Sequence, residues 1–112
     1  MAHTSFSGDL RISIAEGRLV LSGELCRDNG EALLQWLQSA PPVECMELSE
    51  LEIADGVAAT QAVNAVRLLS ARVVLLRVVG APQVLGHNLY RTGQLAQGNI
   101  ELVAMREDEA YG

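Results

Sequence analysis

The sequence predicts one α/β domain over residues 1–112, built from a mixed β-sheet with helices packed on it. The length of 112 residues suits a single domain with one core. Segments with the alternating pattern of strands take turns with segments whose apolar residues recur at helical spacing. The resulting order, ββαβαβαβ, has a hairpin only at its start, so we expect the centre of the sheet to be parallel.

The first half of the chain predicts a hairpin followed by a helix. Residues 9–14 alternate polar and apolar side chains, and residues 18–22, after a short turn, are typical of a second strand. The next helix opens at Asp28, which together with Glu31 three residues later resembles a capping box. Pro41 ends this helix, because proline cannot continue the hydrogen-bond ladder.

The second half predicts three strands that alternate with two helices. Residues 43–48 form the third strand, and residues 56–70 form a helix with an apolar stripe. Residues 72–79 are almost continuously apolar and β-branched, which is typical of a strand covered on both faces. A third helix starts at Pro82, and residues 99–104 form the last strand.

The two ends of the chain, residues 1–7 and 106–112, are predicted to be flexible. No apolar run approaches the ~20 residues of a membrane span, and the first residues lack the pattern of a signal peptide. Cys26 and Cys45 lie in unrelated contexts, which favours reduced thiols. We therefore expect a cytoplasmic protein that does not insert into a membrane.

The charge of the chain restricts the kind of partner. The formal net charge is −6, and all eight basic residues are arginines. An acidic domain repels phosphate backbones and anionic lipid, which argues against nucleic acid as a partner. A protein with a basic patch fits this charge better.

The sequence contains none of the common motifs of catalysis or metal binding. His3 and His87 are its only histidines, and with the two cysteines they form no metal-binding spacing. No glycine-rich phosphate loop is present. An acidic run around the third strand has no histidine nearby and is interpreted as solvated. Glu47 is the exception, because it lies in an apolar strand and needs either a partner such as Arg72 or Arg77 or a position at the strand end in water. The run consists of Glu44, Glu47, Glu50, Glu52 and Asp55. We predict a protein that is not an enzyme and has no metal or cofactor.

The junction after the third strand is the most distinctive point of the chain. Asp55 precedes the helix predicted over residues 56–70, so its carboxylate can accept helix N–H groups and complement the helix dipole. The neighbouring helix surface carries small, neutral and polar side chains, which suits close docking of another protein. The predicted docking residues are Asp55, Gly56, Val57, Thr60, Gln61 and Asn64.

The same junction carries a family resemblance. Residues 48–56 are Leu-Ser-Glu-Leu-Glu-Ile-Ala-Asp-Gly, and residues 19–25 are Leu-Val-Leu-Ser-Gly-Glu-Leu. With the order ββαβαβαβ over nearly the whole chain, these segments resemble the STAS domain, the module of anti-sigma-factor antagonists and of several transporter-associated regulators. The resemblance implies a non-enzymatic regulatory module that binds a partner protein at the Asp55 junction.

The chain departs from the STAS pattern at the site of phosphorylation. In the family the junction Asp is followed by Ser or Thr and then by Ser and Gly, and a partner kinase that is also the anti-sigma factor phosphorylates one of the hydroxyls. These positions here are Gly56, Val57 and Ala58, so only Asp55 matches. Thr60, the nearest hydroxyl, lies one turn into the helix and matches no acceptor position. The resemblance therefore implies docking without a phospho-switch.

The class of partner stays open at this point. The resemblance implies an anti-sigma factor of the serine-kinase type, a histidine kinase or a transporter subunit, as in the STAS proteins of lipid-transport ABC systems and of chemotaxis or other signalling complexes. Nucleotide binding, proposed for some STAS relatives, and a homodimer are further alternatives. A phospho-receiver domain also has an Asp after its third strand, but the acidic pair and the lysine that such domains use are missing from the sequence.

Overall fold

The structure, a computed structural model, describes residues 2–6 and 9–106. These residues form seven strands, three α-helices and one 3₁₀ turn. The strands are β1 (Ala2–Ser5), β2 (Arg11–Ala15), β3 (Arg18–Leu25), β4 (Cys45–Glu47), β5 (Leu51–Ile53), β6 (Leu76–Val79) and β7 (Ile100–Val103). The helices are α1 (Arg27–Gln38), α2 (Gly56–Ser70) and α3 (Gln83–Arg91), and the 3₁₀ turn spans Leu95–Gln97.

The strands form one mixed sheet in the order β1-β2-β3-β4-β6-β7. β1, β2 and β3 pair antiparallel, whereas β3, β4, β6 and β7 pair in parallel. The short β5 pairs in parallel with the carboxyl end of β3, beyond the end of β4. The prediction of an α/β fold with a mixed sheet and a parallel centre is thus confirmed.

The helices cover one face of this sheet. The described part of the chain measures 38 × 33 × 20 Å, and a thickness of 20 Å has room for one sheet and one layer of helices. α2 lies in the middle of the helix layer and contacts both α1 and α3. The largest fully buried side chains of the core between the layers include Leu19, Leu33, Met46, Leu69 and Leu85. No helix within residues 2–6 and 9–106 is long and apolar enough to span a bilayer.

The other face of the sheet is left uncovered by the described residues. Alternate residues along the strands point to it, and those named here are half-buried or exposed. We call this surface the open face. It consists of Arg11, Ser13, Arg18, Val20, Ser22, Cys45, Glu47, Arg77, Val79, Glu101 and Val103.

The expectation that residues 72–79 form a strand covered on both faces is wrong, because the described residues leave one face open. Only Leu76–Val79 is a strand, and its residues alternate between buried and at least partly exposed. Leu76 and Val78 face the helices, whereas Arg77 points to the open face. Val74 precedes the strand in a loop and is 94 % exposed. The apolar run in the sequence therefore includes residues before β6 that the helices do not cover.

Two short strands are additional to those that the sequence predicts. β1 lies within the amino-terminal segment expected to be flexible, and its backbone pairs with β2 over four residues. β5 has three residues, in a segment where a turn was expected. Of the two terminal segments, residues 1, 7 and 107–112 lie outside the described residues, so their expected flexibility stays a prediction.

α1 begins earlier than a capping box at Asp28 predicts. Its N-cap residue is Cys26, whose backbone N–H donates to Asn29 Oδ1 at 2.9 Å. Asn29 is completely buried, and its Nδ2 donates to the carbonyl oxygen of Glu24 at 3.0 Å. This buried amide fixes the start of α1, so the expected cap at Asp28 is wrong. The predicted bounds of α2, in contrast, are confirmed.

Candidate docking site at the β5–α2 junction

Asp55 joins the amino-terminal ends of two helices. It has an extended conformation between β5 and α2 and is the N-cap residue of α2. Its Oδ1 accepts a hydrogen bond from the backbone N–H of Ala58, in the first turn of α2, at 2.7 Å. Its Oδ2 accepts from the backbone N–H of Arg27, the first residue of α1, at 3.2 Å. One carboxylate therefore satisfies an N–H group at the start of each helix.

These contacts lower the pKa of the Asp55 carboxyl below its usual value of 3.8. The hydrogen bond from Ala58 is the largest cause; partial desolvation opposes the shift, while the N–H and the charge of Arg27 support it. The positive ends of the helix dipoles favour the ionised form as well. Asp55 is consequently ionised at neutral pH, with both of its oxygens engaged in the fold.

The residues next to Asp55 are exposed and uncharged. Ala54, Gly56, Val57 and Thr60 all lie at the surface of the junction and of the first turn of α2. Val57 is 40 % exposed, which is unusual among the large apolar side chains of the described residues. The Thr60 hydroxyl donates to the carbonyl oxygen of Gly56 at 3.2 Å. We call Ala54, Asp55, Gly56, Val57 and Thr60 the junction patch.

Gln61 and Asn64 lie apart from the junction patch. Both are half-buried along α2. A β-carbon added to Gly30 of α1 would lie 2.8 Å from Gln61 Cγ, so the two helices approach closely at this point and Gln61 occupies the contact between them. The structure thus brings four of the six predicted docking residues together at the surface and leaves these two to one side.

Acidic side chains border the junction patch. Glu24 and Glu52 are neighbours on β3 and β5, and both are exposed. Asp28 is exposed in the first turn of α1, next to the residue that donates to Asp55. The neutral residues around Asp55 are therefore bordered by three acidic side chains and by one basic residue, the exposed Arg27; we call this border the acidic rim.

A hydrogen-bond network holds the chain between β4 and β5, just before the junction patch. Glu47 accepts from the hydroxyl of Ser49 and, at 3.3 Å, from the backbone N–H of the same residue. It also accepts from the guanidinium of Arg18 at 2.8 Å. The Ser49 hydroxyl is the largest cause of the lowered pKa of Glu47, whose usual value is 4.5, and Arg18 acts in the same direction against partial desolvation.

Neither of the arginines expected to pair with Glu47 does so. Arg72 donates to three backbone carbonyl oxygens at the carboxyl end of α1, where its positive charge complements the helix dipole. Arg77 forms an ion pair with Glu101 at 3.0 Å. Glu47 is instead neutralised by Arg18, which the pairing of β3 with β4 brings beside it.

Arg106, which follows β7, also binds the turn between β4 and β5. Its guanidinium donates to the carbonyl oxygen of Ser49 at 2.9 Å and to that of Leu51. Its backbone N–H donates to the carbonyl oxygen of Ala81 at 3.1 Å. Gly80 is needed beside this turn, because its φ is +68° and a β-carbon there would lie 2.3 Å from Ser49 Oγ. The backbone that leads into the junction patch is therefore fixed by contacts distant in sequence.

The chemistry available at the junction patch is that of a contact surface. The patch itself contains no thiol, imidazole or amine. Among the described residues no three His, Cys, Asp or Glu side chains come together in a way that could hold a metal ion. Cys26 and Cys45 are unpaired and lie on different elements, and His87 is exposed on α3. The side chain of His3 is outside the described part of the structure.

A comparison of the chain with protein-family models and with curated protein sequences finds no match. The STAS resemblance accordingly rests on residues 19–25 and 48–56 and on the order of the elements. The observed α/β fold, with a mixed sheet and three helices among the described residues, is compatible with a STAS domain. Membership of that family stays a prediction.

Proposed function

We propose that this chain is a non-enzymatic, STAS-like regulatory module that binds a partner protein through the junction patch. The partner that we propose first is an anti-sigma factor of the serine-kinase type, which would make the chain an antagonist of that factor. One observation carries the proposal: the carboxylate of Asp55 is held between two helix N-termini, and the residues around it are exposed and uncharged.

The shape of the junction patch supports protein docking. Ala54 and Gly56 have almost no side chain, so the backbone of a partner can approach closely. Val57 supplies exposed apolar area at the centre, which is where binding energy concentrates in protein interfaces. The two hydrogen bonds to Asp55 keep this surface in one conformation before a partner arrives, which lowers the entropic cost of association.

The acidic rim supports a partner with a basic surface. Glu24, Glu52 and Asp28 place three negative charges near the patch, against the one positive charge of Arg27. Lysine and arginine side chains around a small apolar contact would complement this arrangement and accelerate association at low ionic strength. The proposed partner therefore carries basic residues around an apolar or neutral centre.

Docking does not depend on phosphorylation in this proposal. Gly56 and Val57 have no hydroxyl, and the Thr60 hydroxyl is bonded to a carbonyl oxygen of its own helix. Incubation of the chain with a partner kinase and ATP should give no phosphoryl adduct by intact mass, and an adduct on Thr60 would contradict this part of the proposal. The unpaired Cys26 and Cys45 support a reducing compartment, and we place the module in the cytoplasm.

The test of the proposal begins with a photo-crosslinking amino acid at position 57, introduced into the chain in its own cells. Mass spectrometry then identifies the cross-linked protein, and its affinity for the purified chain is measured by calorimetry. Thr60→Arg should weaken binding by at least about tenfold, because a long cationic side chain would prevent close approach to the junction patch.

Thr92→Arg is the matched control for Thr60→Arg. Thr92 is also exposed, and its hydroxyl likewise donates to a carbonyl oxygen four residues earlier, at 2.7 Å, but it follows α3 and lies outside the junction patch. This variant should bind the partner within about twofold of the unmodified chain. Equal loss in both variants, or no loss in Thr60→Arg, would refute docking at the junction patch. If the cross-linked protein is a transporter subunit or a histidine kinase, docking stands and the proposed pathway is replaced.

A further inference from the structure

The open face exposes strands of a type that normally lies between two layers. Sheets that are entirely parallel occur almost only where both of their sides are covered. Here β3, β4, β6 and β7 are parallel neighbours, and the described residues cover one side of them only. Among the described residues, this parallel part of the sheet therefore has no second layer on its open side.

The side chains of the open face form two rows across the four parallel strands. The first row, from β3 to β7, is Arg18, Cys45, Arg77 and Glu101. The second row, two residues further along each strand, is Val20, Glu47, Val79 and Val103. Each row mixes charged with apolar or weakly polar side chains, so the surface suits neither a purely apolar nor a purely charged partner.

Exposed apolar side chains continue the open face at its edge. Val74 and Leu75, 94 % and 38 % exposed, line the same surface depression as Arg18, Cys45 and Arg77. Val74 at this exposure contributes almost no buried surface within the chain. The position of Val74 and Leu75 beside the first row extends the surface that a second layer would cover.

We propose that the open face binds the open face of a second copy of this chain, around a two-fold axis that runs along the strands between β4 and β6. Two sheets packed face to face lie about 10 Å apart with their strands nearly aligned. This axis passes through the centre of the four parallel strands. It places β3 over β7 of the second copy and β4 over β6. Each row then lies opposite the same row of the second copy.

The charges of the first row are self-complementary under this symmetry. Arg18 on β3 lies opposite Glu101 on β7 of the second copy, and the same pair occurs twice because the axis is two-fold. Arg77 lies opposite Cys45 of the second copy, two residues along the strand from its Glu47. Arg18 thus gains an opposite charge across the interface in addition to its ion pair with Glu47, whereas Arg77 keeps its ion pair with Glu101 and has Glu47 of the second copy only at a diagonal position.

The second row matches as well. Val20 lies opposite Val103 of the second copy, so half-buried apolar side chains meet and lose their remaining contact with water. Glu47 lies opposite Val79 of the second copy, on the strand between those that carry Arg18 and Arg77. An axis across the strands through this row would instead place Glu47 on Glu47, which repulsion disfavours.

The distribution of charge over the chain favours the same surface. The net charge of −6 makes two copies repel each other in general. The two rows of the proposed contact, however, carry two arginines and two glutamates and so have no net formal charge, which makes them less acidic than the rest of the molecule. Two copies meet there with the least repulsion.

The size of the overlap sets the strength of the proposed dimer. Four strands about 4.8 Å apart and about four residues long give a footprint of roughly 19 by 13 Å, or about 250 Å² in plan. Stable interfaces bury about 800 Å² of accessible surface per partner. We therefore expect a weak, concentration-dependent dimer, with a Kd on the order of 100 µM.

Sedimentation velocity of the whole chain, from the low micromolar to the millimolar range, tests the dimer. The expected result is a shift from the 12.0 kDa monomer toward twice that mass. Arg18→Glu and Glu101→Arg should each raise the Kd by about tenfold, and the variant with both changes should return to within about threefold of the original value.

Restoration in the double variant can arise only between two copies. Arg18 and Glu101 are three strands apart within one chain, about 14 Å, and each has a different partner there, Glu47 and Arg77. The double variant therefore worsens the charge pairing within the chain while restoring it across the axis. Circular dichroism of each variant confirms that the fold is retained.

Arg11→Glu is the matched control, because Arg11 is an exposed arginine of the open face on β2, outside the four overlapping strands. Its Kd should stay within about twofold of the original. A chain that is monomeric at 1 mM, a dimer insensitive to both single reversals, or a double variant no better than the singles would overturn the proposal. Since no partner protein is present, these outcomes are independent of docking at the junction patch.

Discussion

The two faces of the sheet are built from the same strands and differ in nearly every physical property. On the covered face, Leu19 and Met46 are 0 % and 2 % exposed and pack against the helices. On the open face, the next residues along, Val20 and Glu47, keep part of their surface in water. Because side chains alternate along a strand, each segment contributes to stability through one face and to recognition through the other. The two properties can therefore be changed separately.

The largest expected difference between the two faces comes from two adjacent residues of β3. Leu19→Ala leaves a cavity in the core and should lower the free energy of unfolding by about 3 kcal/mol. Val20→Ala removes half-exposed methyl groups and should lower it by less than about 1 kcal/mol. Urea denaturation at low micromolar concentration measures both values without a contribution from association. Similar losses for the two variants would mean that both faces are buried.

The second prediction concerns Asp55, which belongs to the helix layer. Asp55→Ala removes the hydrogen-bond acceptor for two helix N-termini and should lower the melting temperature, although by less than Leu19→Ala. Asp55→Asn keeps an acceptor for the N–H of Ala58 and should lie between Asp55→Ala and the unmodified chain. Thermal unfolding at pH 7 gives this ranking, and an unchanged melting temperature for Asp55→Ala would contradict it.

The third prediction compares the two carboxylates whose pKa values are lowered, Asp55 in the helix layer and Glu47 on the open face. A pKa lower in the folded than in the unfolded chain stabilises the fold above the unfolded pKa, and this contribution is lost as the pH falls through the folded pKa. Stability should therefore decrease below about pH 5. Glu47→Gln keeps one oxygen acceptor but cannot titrate, so it should flatten part of this decrease.

Urea denaturation of Glu47→Gln from pH 7 to pH 3 measures that effect. At neutral pH the variant should lose only a little stability, because the ion pair with Arg18 is largely open to solvent, with the arginine side chain 57 % exposed. An acid dependence identical to that of the unmodified chain would show that Glu47 is not a source of it.

The smallest expected effect is that of Thr60→Ala. Thr60 is exposed, and its hydroxyl bonds only to a carbonyl oxygen of its own helix. Its removal should change the free energy of unfolding by less than about 0.5 kcal/mol in either direction. Urea denaturation checks this value. A larger loss would mean that Thr60 supports the fold of the junction patch rather than only its surface.

The sequence predicted well those elements whose signals are local. The bounds of α2 follow from Asp55 as a cap and from a continuous apolar stripe, and the structure has both. The predicted start of α1 was wrong because the decisive residue is Asn29, whose buried amide bonds the backbone of Cys26 and of Glu24. Asp28 and Glu31 had the right spacing for a cap, yet both are exposed.

Elements held by distant contacts could not be predicted in this way. β1 is polar and pairs through its backbone, and β5 has three residues, so neither has a distinctive pattern. The one-sided exposure of β6 depends on where the helices pack. At the candidate site, the sequence placed Asp55 correctly as a helix cap, but the second bond, from Arg27, needs the arrangement of two helices. The contact that draws Gln61 toward α1 depends on Gly30, a small residue on the facing helix whose role the sequence does not reveal.

Arg106 constrains the order in which the domain assembles. Its guanidinium closes the turn between β4 and β5 by binding two carbonyl oxygens there, more than fifty residues earlier in the chain. During synthesis the residues of the junction patch, of α2 and of β6 are all added to the chain before this arginine. The patch therefore reaches its final form only once the carboxyl end of β7 and Arg106 have emerged, so a nascent chain stalled before that point would present an incomplete docking surface.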